Sequence, residues 1–137
     1  MINLRLCFQL SLFGLAMALA TITLIPTRFE WMFWLPIFLF CAVIIARHAP
    51  GKYFWHGIIT CLLNCVWITG VHVSFFDLYT AHHADMAAMQ PKTGYFATHP
   101  RQMMLLVGPF VGVASGIILG LLSVIAGAIF KTKKASS

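Results

Sequence analysis

Charge is what this chain has least of. Charged residues make up 9% of its 137 residues, against about 25% in a soluble domain. Acids are scarcer still: Glu30, Asp77 and Asp85 are the three carboxylates, facing nine Lys and Arg. No Asp, Glu, Lys or Arg lies deep inside any long apolar run, so no obvious carrier is present for proton-coupled transport through an intramembrane charge. The net charge of +6 comes from basic residues scattered singly, not gathered on a face, which argues against nucleic-acid binding. The four cysteines, Cys7, Cys41, Cys61 and Cys65, all sit within apolar runs. None is placed in a connecting segment, where an oxidising compartment would staple a fold. They read as small buried hydrophobes, and redox or metal chemistry is the minor alternative.

What the chain has instead is hydrocarbon. It is 61% hydrophobic with a mean hydropathy of +0.90. Such a chain cannot cover a water-facing surface and belongs in a bilayer. Four apolar runs are long enough, or nearly so, to cross one: residues 6–25, 31–46, 53–76 and 103–130. The fold expected is a single all-α domain, an integral membrane bundle of four transmembrane helices in up-down topology. A water-facing loop over 77–102 is expected to hold a short extra helix, and 131–137 a tail.

The first run begins after Arg5 and contains Ala18-Leu19-Ala20, the small-residue pattern of a secretory cleavage site. The apolar pattern continues through Thr21–Ile25, which favours a retained span. The turn over 26–30 is short enough to make spans one and two an antiparallel hairpin. Span two opens with Trp31-Met32-Phe33-Trp34, aromatics suited to the headgroup level. Pro36 falls in its first turn or two, where a proline costs little. At about 16 residues the span is short and needs neighbouring turns or a thinned bilayer. Pro50-Gly51 marks the next turn.

Span three is the most polar. His56, Thr60 and Asn64 step by four along one face, and His72 follows near the far end. Asn64 falls near the bilayer midplane, where an unpaired amide is costly, so a neighbouring helix is expected to supply its partner. Span four carries Gly108, Gly112, Gly116 and Gly120 at intervals of four, one drifting stripe along a helix. A bare stripe of backbone invites close approach by another helix. The occupant is either span three of the same chain, with Asn64 near it, or a second copy or another protein. The second reading makes span four the contact of a homo-oligomer or larger membrane complex. Pro109 predicts a kink, and Lys131, Lys133 and Lys134 an anchor at the membrane edge.

Four spans place both termini on one side, with six basic residues against three on the other. All three acids lie on that other side. The positive-inside rule then puts both termini in the cytoplasm, and the chain is expected in the inner membrane of a bacterium, with the lipid bilayer as its main partner and no nucleic acid.

Three constellations bear on chemistry. His82, His83 and Asp85 in the outer loop, near four methionines, are candidate ligands for zinc or copper. Adjacent helical histidines diverge by about 100°, and no H-E-x-x-H motif is present, which favours a solvated interfacial loop. His56 and His72 are about 24 Å apart along one helix and cannot share a haem. No cofactor is expected. Small four-span multidrug exporters rely on a glutamate in the first span, absent here. Four-span enzymes that make eicosanoid and glutathione conjugates have buried Arg, Asn and Glu clusters, also absent. Four-span thiol oxidases need exposed cysteines. The function expected is non-enzymatic packing or assembly, or that of an accessory subunit. The alternatives are a small transporter or channel along span three, and outward metal sensing. The transporter reading requires Thr60 and Asn64 to open on a water-filled path.

Overall fold

The computed structural model describes residues 1–49 and 51–135, with side chains as far as Phe130. Pro50 of the expected turn lies outside the described residues, and the lysines at 131, 133 and 134 lie outside the described side chains. Among the described residues all regular structure is helical. Four helices are long and apolar enough to cross a bilayer: α1 (Leu4–Thr23), α2 (Thr27–His48), α3 (Tyr53–Ser74) and, after three short ones, α7 (Pro100–Ala135). The connection between α3 and α7 holds α4 (Phe76–His82), α5 (Ala84–Ala88) and α6 (Tyr95–Thr98).

Local signals explain the ends. Asn3 caps α1, its side chain accepting from Leu6 N–H at 3.1 Å, and so satisfies one of the orphan amides of a first turn. Before α3, Gly51 and Lys52 both take positive φ, 84° and 52°. Glycine does so freely, whereas lysine pays about 1–2 kcal/mol. The Lys52 carbonyl accepts from the backbone N–H of His56 at 3.2 Å and from its ring Nδ1 at 2.9 Å. The other ring nitrogen of His56, Nε2, accepts the Asn3 N–H at 3.0 Å. One buried imidazole, in its Nδ1–H tautomer, thus joins the starts of α1 and α3.

Span two departs from expectation. Helix α2 is 22 residues long, not about 16, because it starts at Thr27 and runs on to His48. Residues 27–30 form its first turn, where Glu30 faces the positive end of the helix dipole. At about 33 Å it needs no thinning of a bilayer. Pro36 is therefore interior, and it leaves the Met32 carbonyl without a helical donor.

The expected hairpin of spans one and two is also not what forms. Helix α1 packs along α3, α3 along α7, and α7 along α2, while α1 and α2 touch sparsely. Matching surfaces decide this over sequence proximity. Gly14 of α1 receives Asn64 of α3, and Thr21 bonds His72. The glycine face of α7 receives α3. The small residues Ala42 of α2 and Ala49 just after it join Ile45, Cys41, Cys61, Leu10 and Leu119 in one buried cluster. That cluster closes the half of the bundle nearer the chain termini. Outward-facing positions are apolar, with Phe110 73% and Ile118 54% exposed. Water would not tolerate so continuous an apolar surface, and lipid covers it without cost.

Candidate functional site

The glycine stripe of α7 is filled from within the chain. A Cβ at Gly112 would meet Cys65 Cβ at 2.8 Å, one at Gly116 the Ile58 Cα at 3.0 Å, and one at Gly120 the Phe54 carbonyl at 2.9 Å. Gly108 faces Thr69. The occupant is span three, one of the two expected. Asn64 is not its companion there: it is turned toward α1, where it packs against Gly14. Its Oδ1 is buried and makes no hydrogen bond among the described residues. The expected partner is missing because Gly14 offers only backbone carbon at that point.

Thr60 is fully buried and Asn64 is 4% exposed, so α1 covers most of the polar face of α3, and of the two only Asn64 reaches the cavity described below. The outer-loop candidates do not converge either. His82 directs Nδ1 to the Leu78 carbonyl on an exposed surface. His83 is buried with both ring nitrogens on carbonyls, Nδ1 2.9 Å from Tyr79 O and Nε2 3.2 Å from Ile25 O. Asp85 accepts from the Thr27 hydroxyl at 3.4 Å. Among the described residues no three His, Cys, Asp or Glu side chains are grouped to hold a metal.

The structure opens elsewhere. Toward the end of the bundle that carries α4–α6, helix α2 parts from α1 and α3, leaving a cavity of about 910 Å³. That is within the roughly 300–1,000 Å³ of small-molecule sites. Each long helix contributes one face at helical spacing. Helix α2 supplies Glu30, Trp34 and Phe38, α1 supplies Met17 and Thr21, and α3 supplies Asn64, Ile68 and His72. Helix α7 supplies Met103, Met104, Val107 and Val111. Met86, Met89 and Gln90, in and just after α5, complete the lining.

The two ends of the cavity differ. The end beneath the short helices holds Thr21, Thr27, Glu30, His72, Tyr79 and Gln90. The rest is mainly aliphatic, thioether and aromatic, with Asn64, Thr69 and Ser115 among it. Tyr79 is 4% exposed and sandwiched between two imidazoles, His72 at 4.2 Å and 20° and His83 at 4.3 Å and 23°. The Thr21 hydroxyl donates to the Met17 carbonyl at 2.8 Å, so the 2.9 Å contact with His72 is a bond from the Nε2–H to the Thr21 oxygen. A continuous stack thus ties α4 to α3 and, through the Ile25 carbonyl, to the α1–α2 turn.

Burial pushes the Tyr79 phenol up to about 12, aided by the carboxylates of Glu30 and Asp85. An ordinary phenol in an unfolded chain ionises near 10. The folded state therefore keeps its full share of stability below pH 10 and loses it as pH rises toward 12, up to about 3 kcal/mol at 1.36 kcal/mol per pH unit. In an absorbance titration, one of the three tyrosines is expected to ionise last, near the unfolding transition. Tyr79→Phe should remove that late step; a late step that survives the substitution rules Tyr79 out as its source.

The site is hidden in the sequence because residues 26–30 read as a turn, with Glu30 inside it. The spacing Thr27-x-x-Glu30 ahead of an apolar run is a helix-start signature. Read so, it places Glu30, Trp34 and Phe38 on one helix face. No protein-family model matches the chain, and no curated protein or solved structure is significantly similar to it.

Proposed function

We propose that this is a membrane-embedded binding protein for one amphipathic small molecule. The polar end of the ligand lies beneath α4–α5, and its apolar part lies between α2 and the α3–α7 pair. The observation that carries this reading is the cavity itself: most of its polar groups lie at one end, and the remainder of its lining is largely apolar. In this reading the four long helices cross the bilayer alternately, with both termini on the Lys- and Arg-rich cytoplasmic side. The cavity's polar end then meets the outer headgroup region. No second copy is required, since the glycine face of α7 is already taken by α3.

The reading predicts that protein purified in mild detergent and extracted with organic solvent yields near-stoichiometric amphiphile by mass spectrometry. Ile68→Trp, which fills the cavity from α3, is expected to lower retained ligand by about tenfold, equivalent to about 1.4 kcal/mol. Equal retention in the folded variant, or no amphiphile in the wild type together with no binding of added alkyl ligands, overturns it.

A further inference from the structure

The charge of the cavity lining is the reverse of the chain's. The protein carries nine Lys and Arg against three carboxylates. Among the described residues the lining contains one of those three carboxylates, Glu30, and none of the six bases whose side chains are described. Carboxylates in a low-dielectric setting normally find a cation or a set of donors. Glu30 is half-buried, yet among the described residues it makes neither a hydrogen bond nor an ion pair.

Two described arginines of the same end of the bundle have other partners. Arg28 lies over the Phe29 ring at 4.7 Å, and Arg101 pairs with Asp77 at 2.9 Å. His83 is close enough to act on Glu30 electrostatically, but its ring nitrogens are both turned to backbone carbonyls. Asp85, the other charged neighbour, has the same sign as Glu30. Beside Glu30, Trp31 and Trp34 also line the cavity, and aromatic faces attract cations, by about 0.5–2 kcal/mol according to exposure.

Building on the amphiphile reading above, we propose that the ligand's polar end is a cationic amine, held by Glu30 and the indoles of Trp31 and Trp34. The absence of any Lys or Arg from the lining disfavours an anionic lipid. It leaves two sources of the ammonium, a zwitterionic phospholipid head and a phosphate-free alkylamine.

The test uses the full chain, delipidated and held in an uncharged amphipol, in equilibrium dialysis against ligands sharing one dodecyl tail. These are dodecyltrimethylammonium, an uncharged dodecyl polyethylene glycol ether, laurate and dodecylphosphocholine. The trimethylammonium probe is expected to bind the wild type at least about tenfold more tightly than the ether, and laurate more weakly than either. Glu30→Gln should bring cation and ether to similar affinity, and Glu30→Asp should keep part of the difference. Equal affinities in the wild type, a preference for laurate, or a cation preference that survives Glu30→Gln each overturn the proposal. The wild-type comparison decides this even if Glu30→Gln does not fold. Binding of the ether without charge preference removes the amine claim alone, whereas failure of both ether and cation removes the amphiphile reading as well. Dodecylphosphocholine matching the trimethylammonium probe supports amine recognition with a phospholipid source; weaker binding supports it with a phosphate-free one.

Discussion

Gly57→Leu is expected to destabilise the protein by more than about 3 kcal/mol, beyond the usual range for overpacking. The reason is that Gly57 marks a crossing of backbone on backbone. A Cβ there would meet the Gly120 amide nitrogen, the Gly120 Cα at 2.5 Å and the Leu119 carbonyl carbon at 2.8 Å. None of these atoms belongs to a side chain that can rotate away. The two helices must separate, and their separation undoes the packing at Gly112 and Gly116 as well. Gly116→Leu should be milder, because Cβ itself is placed 3.0 Å from the Ile58 Cα and 3.3 Å from a terminal methyl able to move.

The matched control lies on the same helix. A Cβ at Gly70 meets nothing within 4 Å, so Gly70→Leu should change stability by less than about 1 kcal/mol, with helix propensity favouring the variant. Unfolding in mild detergent, followed by the loss of helical circular dichroism, reads all three. Similar stabilities for Gly57→Leu and Gly70→Leu would refute the α3–α7 crossing.

Much of this fold is legible in the residues. Apolar run lengths place α1 and α3 within two residues of their observed ends, because lipid imposes one period and one length on every spanning helix. The stripe from Gly108 to Gly120 announces a close approach for the same reason. Which helix fills it is not written in α7 alone. It depends on Gly57, whose own lack of a side chain matters only once α3 and α7 are side by side. The partnering of α1 with α3 depends likewise on Gly14 meeting Asn64, a complementarity between residues 50 positions apart. A short turn between α1 and α2 says where the chain reverses, not which faces fit.

The cavity is less legible still. It exists because α2 is held at one end by Ala42, Ile45 and Ala49, while Trp31, Trp34 and Phe38 keep its other end away from α3. Each of those aromatics is an ordinary membrane-interface residue when read singly. Only the added fact that Glu30 is helical turns them into one wall of a site.

The packing of α1 on α3 yields the second large effect, and it separates shape from hydrogen bonding. Gly14→Ala puts a methyl 2.5 Å from Asn64 Oδ1, 2.8 Å from its Cγ and 2.9 Å from its Cα. The expected cost is about 1–3 kcal/mol. Asn64→Ala alone should cost less than about 1 kcal/mol. Its Oδ1 makes no hydrogen bond among the described residues, and removing an unsatisfied buried acceptor relieves its desolvation penalty while losing some packing. In the double variant the carboxamide clash is gone, and only the tight approach to the backbone of residue 64 remains. The pair should therefore be less damaging than the sum of its parts, by a coupling of at least about 0.5 kcal/mol. If Asn64→Ala instead costs several kcal/mol and the two substitutions add, Asn64 holds the bundle through a polar bond. Near-neutrality of Asn64→Ala with strong rescue of Gly14→Ala would mean that α1 and α3 recognise each other here by shape.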